Sequence, residues 1–320
     1  MKQFEISITK EFSGVKPKNF LKKALDVNYN QLIKAVTNKR ISLNGKKIKE
    51  NSVLQEGDVI AVWDSSIQLR KGFTQKRANP EDIEQKNLGI KTIYTHKDFI
   101  ILDKTPGVIV QGAYDNVFSL SKHLRYLESQ NPTFEKLHHV HRLDKDTSGC
   151  LLIGNGTSNI RDLNTLFQKG AISKTYLALC SGIFDTKEDF VELYLSRNEE
   201  GKLPKVIVTD EKRGKKTKLR YKVIKEFEYE EEDVSLVEVE LITGFMHQIR
   251  VTLHHLGHPI IGDSMYSNER VNEKFSSIVS RQLLHSSKIA FEWKGGKIEI
   301  TAPEPKEFLK LPRSSKTKHL

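Results

Sequence analysis

An arginine and an aspartate stand two positions apart in the stretch HHVHRLDKDTSGCLLIG, which runs from His138 to Gly154. Arg142 and Asp144 precede a Thr-Ser-Gly turn, and an apolar run typical of a buried strand follows at once. A carboxylate here can act as a nucleophile or as a general base. In an arbitrary sequence it would more often be a turn residue paired with Arg142, so the residues alone leave both interpretations open.

A second arginine with apolar neighbours lies in ITGFMHQIRVTLHHLGHPIIGD. Arg250 follows Ile249 on a run that alternates like a strand, and a buried arginine is usually a structural ion-pair partner. Because a desolvated carboxylate needs a partner to stay ionised, Arg250 is a candidate for contact with Asp144. Tyr176, in KTYLAL, has the pattern of a core tyrosine.

Neighbouring side chains raise two alternatives, a metal site and a phosphate loop. Asp144 and Asp146 form an Asp-x-Asp pair, but no further carboxylate cluster follows in the sequence. Three histidines lie nearby: His138, His139 and His141. No cysteine accompanies them, and their spacing is not that of a usual zinc site. GNGTSN lacks the Gly-Lys-Ser/Thr of a phosphate-binding loop. We therefore expect neither a metal nor a nucleotide cofactor.

The composition predicts a folded protein with an anionic partner. Hydrophobic residues make up 37% of the 320 positions, charged residues make up 29%, and the net charge is +11. Most of that surplus is local, because ten lysines and arginines stand against two acids between Lys16 and Glu50. Positive charge concentrated in this way favours a polyanion such as nucleic acid.

Cysteine usage and hydropathy predict a cytoplasmic protein without membrane contact. Cys150 and Cys180 each lie in an apolar run, which is typical of reduced core cysteines. The N-terminal MKQFEISITKEF alternates and carries charges, so it does not resemble a signal peptide. Apolar runs also stay well short of the roughly 20 residues that a membrane-spanning helix needs.

The elements that must hold these residues fall into two groups. NFLKKAL and NQLIKAVTNKR have helical spacing, and Asn44-Gly45 between short extended runs is a hairpin signal, so a helix pair with a small sheet comes first. Strand-like runs with few helices between them follow, and they indicate an α+β fold with a mixed, mostly antiparallel central sheet flanked by helices. The predicted units are a small domain at 1–63, a linker at 64–90, a large domain at 91–303 and a basic tail at 304–320.

The loop around Asp144 carries a family resemblance. HRLDKDTSG resembles the HRLDxxTSG signature of the RluA-type pseudouridine synthases, and LDKTPGVIVQG, KTYLAL, TGFMHQIRVTLHHLGHPIIGD and QLLHSSKIAF resemble further family segments in order and spacing. The likeness covers residues 91–303 and implies the pseudouridine synthase fold for that domain. The chain departs from the usual pattern at Thr105, which separates Lys104 from the family's proline, and at Phe245, where the family usually has arginine.

The resemblance implies an isomerase that converts uridine in RNA to pseudouridine without a cofactor. It makes Asp144 the catalytic carboxylate and Arg250 the partner that keeps Asp144 ionised and oriented. It makes Tyr176 the residue that packs on the target base, with its hydroxyl available for proton transfer. Arg142 would enter the RNA stack as the uridine flips out. The expected substrate-binding residues are Arg142, Tyr176, Ile249 and Arg250.

The basic N-terminal residues resemble the RNA-binding domain named after ribosomal small-subunit protein S-four, through the helix pair followed by NGK and GDVI. A domain of this kind before such a catalytic domain resembles the ribosomal-RNA branch of the family. This order implies a monomer that acts on large-subunit (23S) ribosomal RNA or on pre-ribosomal particles. Two alternatives stay open: a catalytically silent RNA-binding protein of ribosome assembly, and a synthase that acts on transfer RNA.

Overall fold

A computed structural model describes residues 4–49, 52–64, 66–70, 73, 89–110, 120–198 and 205–309. The chain divides into two compact units, residues 1–83 and residues 84–320. No helix within these described ranges is long and apolar enough to cross a membrane.

The first unit packs two helices on a four-stranded sheet. Its elements are β1 (Phe4–Ser7), a short 3-10 turn (Lys10–Phe12), α1 (Pro17–Ala24), α2 (Tyr29–Thr37), β2 (Ile41–Leu43), β3 (Lys46–Lys47) and β4 (Val59–Val62). The sheet order is β1-β4-β2-β3, with antiparallel pairs throughout. The apolar faces of both helices meet the sheet around Phe20, Leu21 and Leu32, which are almost fully buried.

Local signals in the sequence explain the first unit. The Asn28 side chain accepts from the backbone N–H of Gln31, whose own side chain returns the bond, so a capping box begins α2. Asn44 and Gly45 have φ values of 49° and 72°, the left-handed pair that a two-residue hairpin between β2 and β3 requires. The predicted hairpin is therefore present.

The first unit continues past residue 63. Ile67 is 4% exposed and belongs to its core, and Leu69 forms a bridge with Leu25 at the end of α1. The described residues 66–70 of the predicted linker are therefore part of this unit, because Ile67 is buried in its core and the backbone of Leu69 pairs with Leu25. Residues 65, 71–72 and 74–88 of that linker and residues 310–320 of the predicted tail lie outside the described ranges.

The second unit is built on a long mixed sheet. The strands are β5 (Lys91–His96), β6 (Phe99–Lys104), β7 (Leu137–His139), β8 (Ser148–Asn155), β9 (Ile172–Ser181), β10 (Glu188–Asn198), β11 (Lys205–Thr209), β12 (Lys215–Tyr229), β13 (Glu232–Leu241), β14 (Leu284–Trp293) and β15 (Gly296–Thr301). The helices are α3 (Leu120–Gln130), α4 (Thr157–Gln168), α5 (Gln248–His255), α6 (Glu269–Lys274) and α7 (Lys306–Leu309). Neighbouring strands follow the order β11-β10-β12-β13-β9-β14-β8-β6-β5, with β15 beside β14 and β7 beside β8.

One parallel contact joins two antiparallel parts of this sheet. Strands β14 and β8 pair in parallel through His285 with Ser148 and Ser286 with Gly149, whereas the other strand pairs of this sheet in the described ranges are antiparallel. Gly149 has a φ of 104°, and a Cβ there would come within 2.2 Å of the Ser286 carbonyl oxygen. Glycine is therefore required where the two parts approach each other most closely. The predicted mixed, mostly antiparallel sheet is confirmed.

Arg250 lies on helix α5, so the strand predicted from its alternating neighbours is wrong. Every residue from Gln248 to Leu253 is buried, and a helix that is buried on all sides shows no helical period in its sequence. The Gln248 side chain holds the preceding turn, because Oε1 accepts from the Phe245 N–H at 3.1 Å and Nε2 donates to the Lys218 carbonyl at 3.0 Å.

Candidate active site

The turn between β7 and β8 presents Asp144. The Thr147 N–H donates to the Asp144 carbonyl at 3.1 Å, which closes the turn just before the fully buried strand β8. Behind it, Lys104 at the end of β6 donates from Nζ to the carbonyls of Thr105, Val108 and Lys145 at 2.9, 3.1 and 2.8 Å. Burial lowers the pKa of Lys104 to about 7, against the attraction of nearby carboxylates. Lys104 therefore fixes the turn backbone from inside.

A second buried cation holds the same turn from the other side. Arg281, just before β14, donates from Nη1 to the Asp146 carbonyl at 3.2 Å and from Nε to Glu307 of α7 at 3.0 Å. The adjacent Gln282 donates from Nε2 to Thr147 Oγ1 at 3.0 Å. Both side chains are buried, so these bonds are shielded from water. The turn that carries Asp144 is consequently fixed on both sides by groups distant in sequence.

Arg250 bridges two carboxylates. Its Nη1 donates to Asp144 Oδ2 at 3.0 Å, while Nε and Nη2 donate to the two oxygens of Asp263 at 2.7 and 2.9 Å. The side chain of Asp144 is 27% exposed, whereas those of Arg250 and Asp263 are 7% and 0% exposed. The planar guanidinium thus uses one edge to anchor itself in the core and presents its remaining nitrogen to the solvent-facing carboxylate.

The charges of this buried pair stabilise each other. Burial acts against ionisation of Asp263, but hydrogen bonds and charge from Arg250, with the N–H groups of Met265 and Tyr266, lower the pKa of this carboxyl below its usual value. Burial likewise acts against the Arg250 cation, and Asp263 and Asp144 raise its pKa. Arg250 is therefore a permanent cation beside Asp144.

A histidine that the sequence prediction did not include lies near the same oxygen of Asp144. His247 precedes α5, and its Nε2 lies 3.9 Å from Asp144 Oδ2. Its Nδ1 is 3.0 Å from the hydroxyl of Tyr266, which in turn accepts from the Val206 N–H at 2.9 Å. Burial lowers the pKa of His247, whereas the charge of Asp144 acts to raise it.

Tyr176 lies in β9 with its hydroxyl directed into the protein. The residue is 4% exposed, and its hydroxyl is hydrogen-bonded to Ser286, whose own hydroxyl donates to the Cys150 carbonyl at 3.2 Å. Burial raises the pKa of the Tyr176 hydroxyl. The hydroxyl is therefore buried and hydrogen-bonded within the protein, and its availability for proton transfer stays a prediction.

These groups surround a small cleft. Its lining includes all five predicted site residues: Arg142, Asp144, Tyr176, Ile249 and Arg250. Arg142 is exposed at its edge and Ile249 is 3% exposed in its wall. Phe245, which stands where the resemblance leads one to expect arginine, also lines the cleft and packs on Val251 and Tyr266. The lining therefore has an apolar part and a part that carries ionised groups.

The three histidines near the turn are structural in this arrangement. The Nε2 of His141 accepts from the Leu152 N–H at 2.9 Å, and its ring stacks on Phe167. Burial lowers the pKa of His139 to about 4 and that of His141 to about 3, so both are neutral near pH 7. In the described part of the chain, no three His, Cys, Asp or Glu side chains are arranged to hold a metal ion.

Four residues of this site were missed by sequence reasoning. Asp263, His247 and Tyr266 lie in or just after the segment that resembles the family, and Arg281 precedes the next such segment. An acid next to glycine in the apolar run GHPIIGD was the available signal for Asp263, since a buried carboxylate needs a cation. The contacts of His247 and Arg281 depend on residues far away in sequence, so no local pattern indicated them.

The site can be compared with known proteins now that its geometry is established. Residues 98–255 match the model of the RNA pseudouridylate synthase family. A relative in Buchnera aphidicola subsp. Baizongia pistaciae, the ribosomal large subunit pseudouridine synthase C, is 30% identical over 305 residues, which cover 93% of each chain. The chain belongs to the RNA pseudouridylate synthase family. The resemblance noted around HRLDKDTSG is thereby confirmed, and with it the predicted isomerase class.

Further relatives and solved structures agree with this assignment. Proteins with the same name in Vibrio parahaemolyticus and in Escherichia coli K12 are each 28% identical to this chain. The Vibrio match covers 93% of this chain and 92% of the relative, and the Escherichia match covers 91% of this chain and 89% of the relative. The structure titled human RNA pseudouridylate synthase domain containing 1 is 24% identical and covers 68% of this chain and 84% of its own, with a TM-score of 0.57. That similarity supports the fold of the family synthases.

Proposed function

We propose that this synthase converts specific uridines of large-subunit ribosomal RNA to pseudouridine. Relatives that cover almost the whole chain are called ribosomal large subunit pseudouridine synthase C, which supports this substrate class. The reaction breaks the bond between ribose carbon one and ring nitrogen one and joins the ribose to ring carbon five. One proton leaves carbon five and one is added to nitrogen one, so no net oxidation occurs and no redox cofactor is required.

Asp144 is the carboxylate that acts on the target nucleotide. The observation that carries this assignment is the 3.0 Å contact from Arg250 Nη1 to Asp144 Oδ2 at the bottom of a cleft. A fixed cation keeps the carboxylate charged and aims one oxygen, while the 27% exposure of the Asp144 side chain leaves the carboxylate accessible. Water exclusion by the apolar wall keeps the detached base close to the sugar.

The other lining residues hold the flipped nucleotide. The Tyr176 ring and the Ile249 side chain supply apolar surface next to Asp144, which suits a uracil ring removed from its stack. Arg142 is exposed at the edge of the cleft, where its planar guanidinium can take the vacated position in the RNA stack. Flipping costs a few kcal/mol of unstacking, and stacking of this kind offsets part of that cost.

The first unit supplies general RNA affinity. Lys18, Lys47 and Lys49 border a surface depression of about 450 Å³ together with Thr37, and the surrounding segment holds most of the surplus positive charge. Such a surface binds phosphates and makes affinity depend on salt. Replacing the three lysines with glutamine should reduce the slope of log affinity against log salt by about 2, at roughly 0.7 per lost phosphate contact. An unchanged slope would show that these lysines do not touch RNA.

We expect the enzyme to act as a monomer in the cytoplasm. The two alternatives are a catalytically silent RNA-binding protein and a pseudouridine synthase that acts on transfer RNA. One experiment separates them from the proposal. Unmodified large-subunit ribosomal RNA and bulk unmodified transfer RNA are incubated with the wild type, and pseudouridines are mapped in each. Product in ribosomal RNA supports the proposal, product only in transfer RNA supports the second alternative, and no product supports the first.

The same assay tests Asp144. Asp144→Asn keeps the shape of the side chain and removes its charge, so we expect no product, with RNA affinity within about threefold of the wild type because phosphate contacts dominate binding. Asp162→Asn on the exposed face of α4 is a matched control and should retain full activity. Substantial product from Asp144→Asn, under conditions that exclude deamidation to Asp, would contradict the assignment.

A further inference from the structure

We infer that His247 is a further catalytic residue, whose Nε2–H donates a hydrogen bond to the uracil ring as its bond to the ribose breaks. This inference rests on Asp144 being the reacting carboxylate of the cleft. It concerns a residue that lines the same cleft and lies near the same oxygen of Asp144.

The tautomer of His247 follows from its neighbours. The Val206 N–H donates to the Tyr266 hydroxyl oxygen at 2.9 Å, so the hydroxyl proton is directed elsewhere. The next polar atom is His247 Nδ1, at 3.0 Å from that oxygen. We assign the acceptor role to Nδ1, which the Tyr266 hydroxyl proton can reach, and a neutral imidazole with an accepting Nδ1 carries its proton on Nε2. Burial lowers the pKa of His247, which favours this neutral form.

The Nε2–H group points into the cleft without an acceptor. Asp144 Oδ2 is 3.9 Å away, beyond hydrogen-bond range, and Nε2 donates to no other atom in the described part of the chain. The side chain of His247 is only 13% exposed, so water reaches this donor poorly. A donor and a carboxylate oxygen this close together can both contact one planar ring that lies over them in the cleft.

The backbone of His247 is held in a costly conformation. Its φ and ψ are 53° and 18°, in the left-handed region that side chains other than glycine rarely adopt. Gln248 maintains this geometry by accepting from the Phe245 N–H and from the Thr243 hydroxyl. Left-handed residues in well-packed surroundings concentrate at functional sites, and here the conformation directs the imidazole to Asp144.

The chemistry requires a donor at this place. When the bond between ribose carbon one and ring nitrogen one breaks, its electron pair goes to the ring and is shared with the carbonyl oxygens. A fixed N–H group that meets one of those oxygens stabilises the charge as it develops. The Tyr176 hydroxyl is buried and hydrogen-bonded to Ser286. His247 is the neighbouring group whose proton is directed outward.

The test measures single-turnover conversion of uridine in an unmodified large-subunit ribosomal RNA transcript, with enzyme in excess. His247→Phe should be about 100-fold slower, the loss seen when one preorganised donor is removed. His247→Gln, whose amide can place an N–H near the position of Nε2, should recover at least tenfold of that loss. RNA affinity of both variants should stay within threefold of the wild type. His255→Phe, an exposed histidine on the same helix, serves as the matched control.

A double variant separates this role from a structural one. Tyr266→Phe removes the hydroxyl that holds the proton on Nε2, so it should slow the wild type about tenfold. In the His247→Gln background the same change should have no further effect on the rate, because glutamine has no tautomer to select. This comparison also stands if His247→Phe does not fold.

Two outcomes would overturn the inference: a His247→Phe rate within threefold of the wild type, or an equal effect of Tyr266→Phe in both backgrounds. A His247→Gln variant as slow as His247→Phe would also contradict a donor role. Asp144→Asn is measured alongside. If that variant is active, the proposed site itself fails, whereas an inactive Asp144→Asn with a fully active His247→Phe rejects His247 alone.

Discussion

Replacing Arg250 with lysine tests whether geometry or charge matters beside Asp144. The wild-type guanidinium makes three hydrogen bonds at 2.7, 2.9 and 3.0 Å, two to Asp263 and one to Asp144. A lysine keeps the positive charge but places a single nitrogen where arginine has three. That nitrogen cannot reproduce the two-sided fork, so Arg250→Lys should leave one of the two carboxylates without its partner.

The size of the loss follows from the bonds removed. A hydrogen bond to a charged group contributes about 1.5–3 kcal/mol. If the lysine stays with the fully buried Asp263, Asp144 loses the hydrogen bond that orients it. A loss of this free energy in the transition state corresponds to a rate about 10- to 150-fold lower. The same energy withdrawn from Asp263 would lower the melting temperature of the second unit by about 3–12 °C.

Single-turnover rates and thermal unfolding of Arg250→Lys measure both effects. Arg220→Lys is the matched control, because Arg220 is exposed on β12 and the same change there should shift stability by less than about 0.5 kcal/mol. A wild-type rate together with a wild-type melting temperature for Arg250→Lys would refute the reasoning, since charge alone would then suffice.

Other perturbations have defined outcomes. Gly149→Ala should prevent folding, because the new Cβ would clash with the Ser286 carbonyl oxygen. Gly170 has open space around it at a φ of 68°, so Gly170→Ala should lower the free energy of unfolding by only about 1 kcal/mol. Soluble yield and thermal melting of the two variants measure this difference. Burial lowers the pKa of His139 to about 4, that of His141 to about 3 and that of His285 to about 4. The unfolded chain therefore binds more protons than the folded protein, so the free energy of unfolding should fall as the pH drops from about 6.5 towards 4. His141→Gln should make the melting temperature depend less on pH, and the same dependence as in the wild type would contradict this explanation. Tyr176→Phe should reduce the rate less than tenfold, because its hydroxyl is engaged with Ser286, and a loss above 100-fold would restore it as a proton carrier. Excess chelator should leave turnover unchanged on an RNA that folds without magnesium, and recovery by one transition metal alone would contradict this.

Local patterns predicted the elements whose signals are short-range. The hairpin at Asn44-Gly45 and the buried strand that begins at Ser148 follow from turn chemistry and an apolar run, and both are present. The helix of Arg250 was not predictable in the same way, because burial on every side removes its period. Patterns that depend on one turn are visible in the sequence, and patterns that depend on tertiary packing are not.

The same division applies to the site. Asp144 and Arg250 could be selected as partners because two charged residues next to apolar runs need each other, and their side chains meet across 106 positions of sequence. The third member of that network, Asp263, had a signal in GHPIIGD that was not used, whereas the tyrosine that contacts His247 could not be selected, since its role depends on which atom lies opposite it.

The short parallel contact between β8 and β14 joins two sequence stretches that share one core in the second unit. Asp144 belongs to the stretch that ends with α4, whereas Tyr176, Arg250 and Asp263 belong to the stretch that begins with β9. The pairing that unites them joins Ser148 to His285, 137 residues apart. We therefore expect a chain that ends before β14 to be inactive, because β14 pairs with the strand that follows the Asp144 turn. Separate fragments that meet near Gly170 should regain activity on mixing.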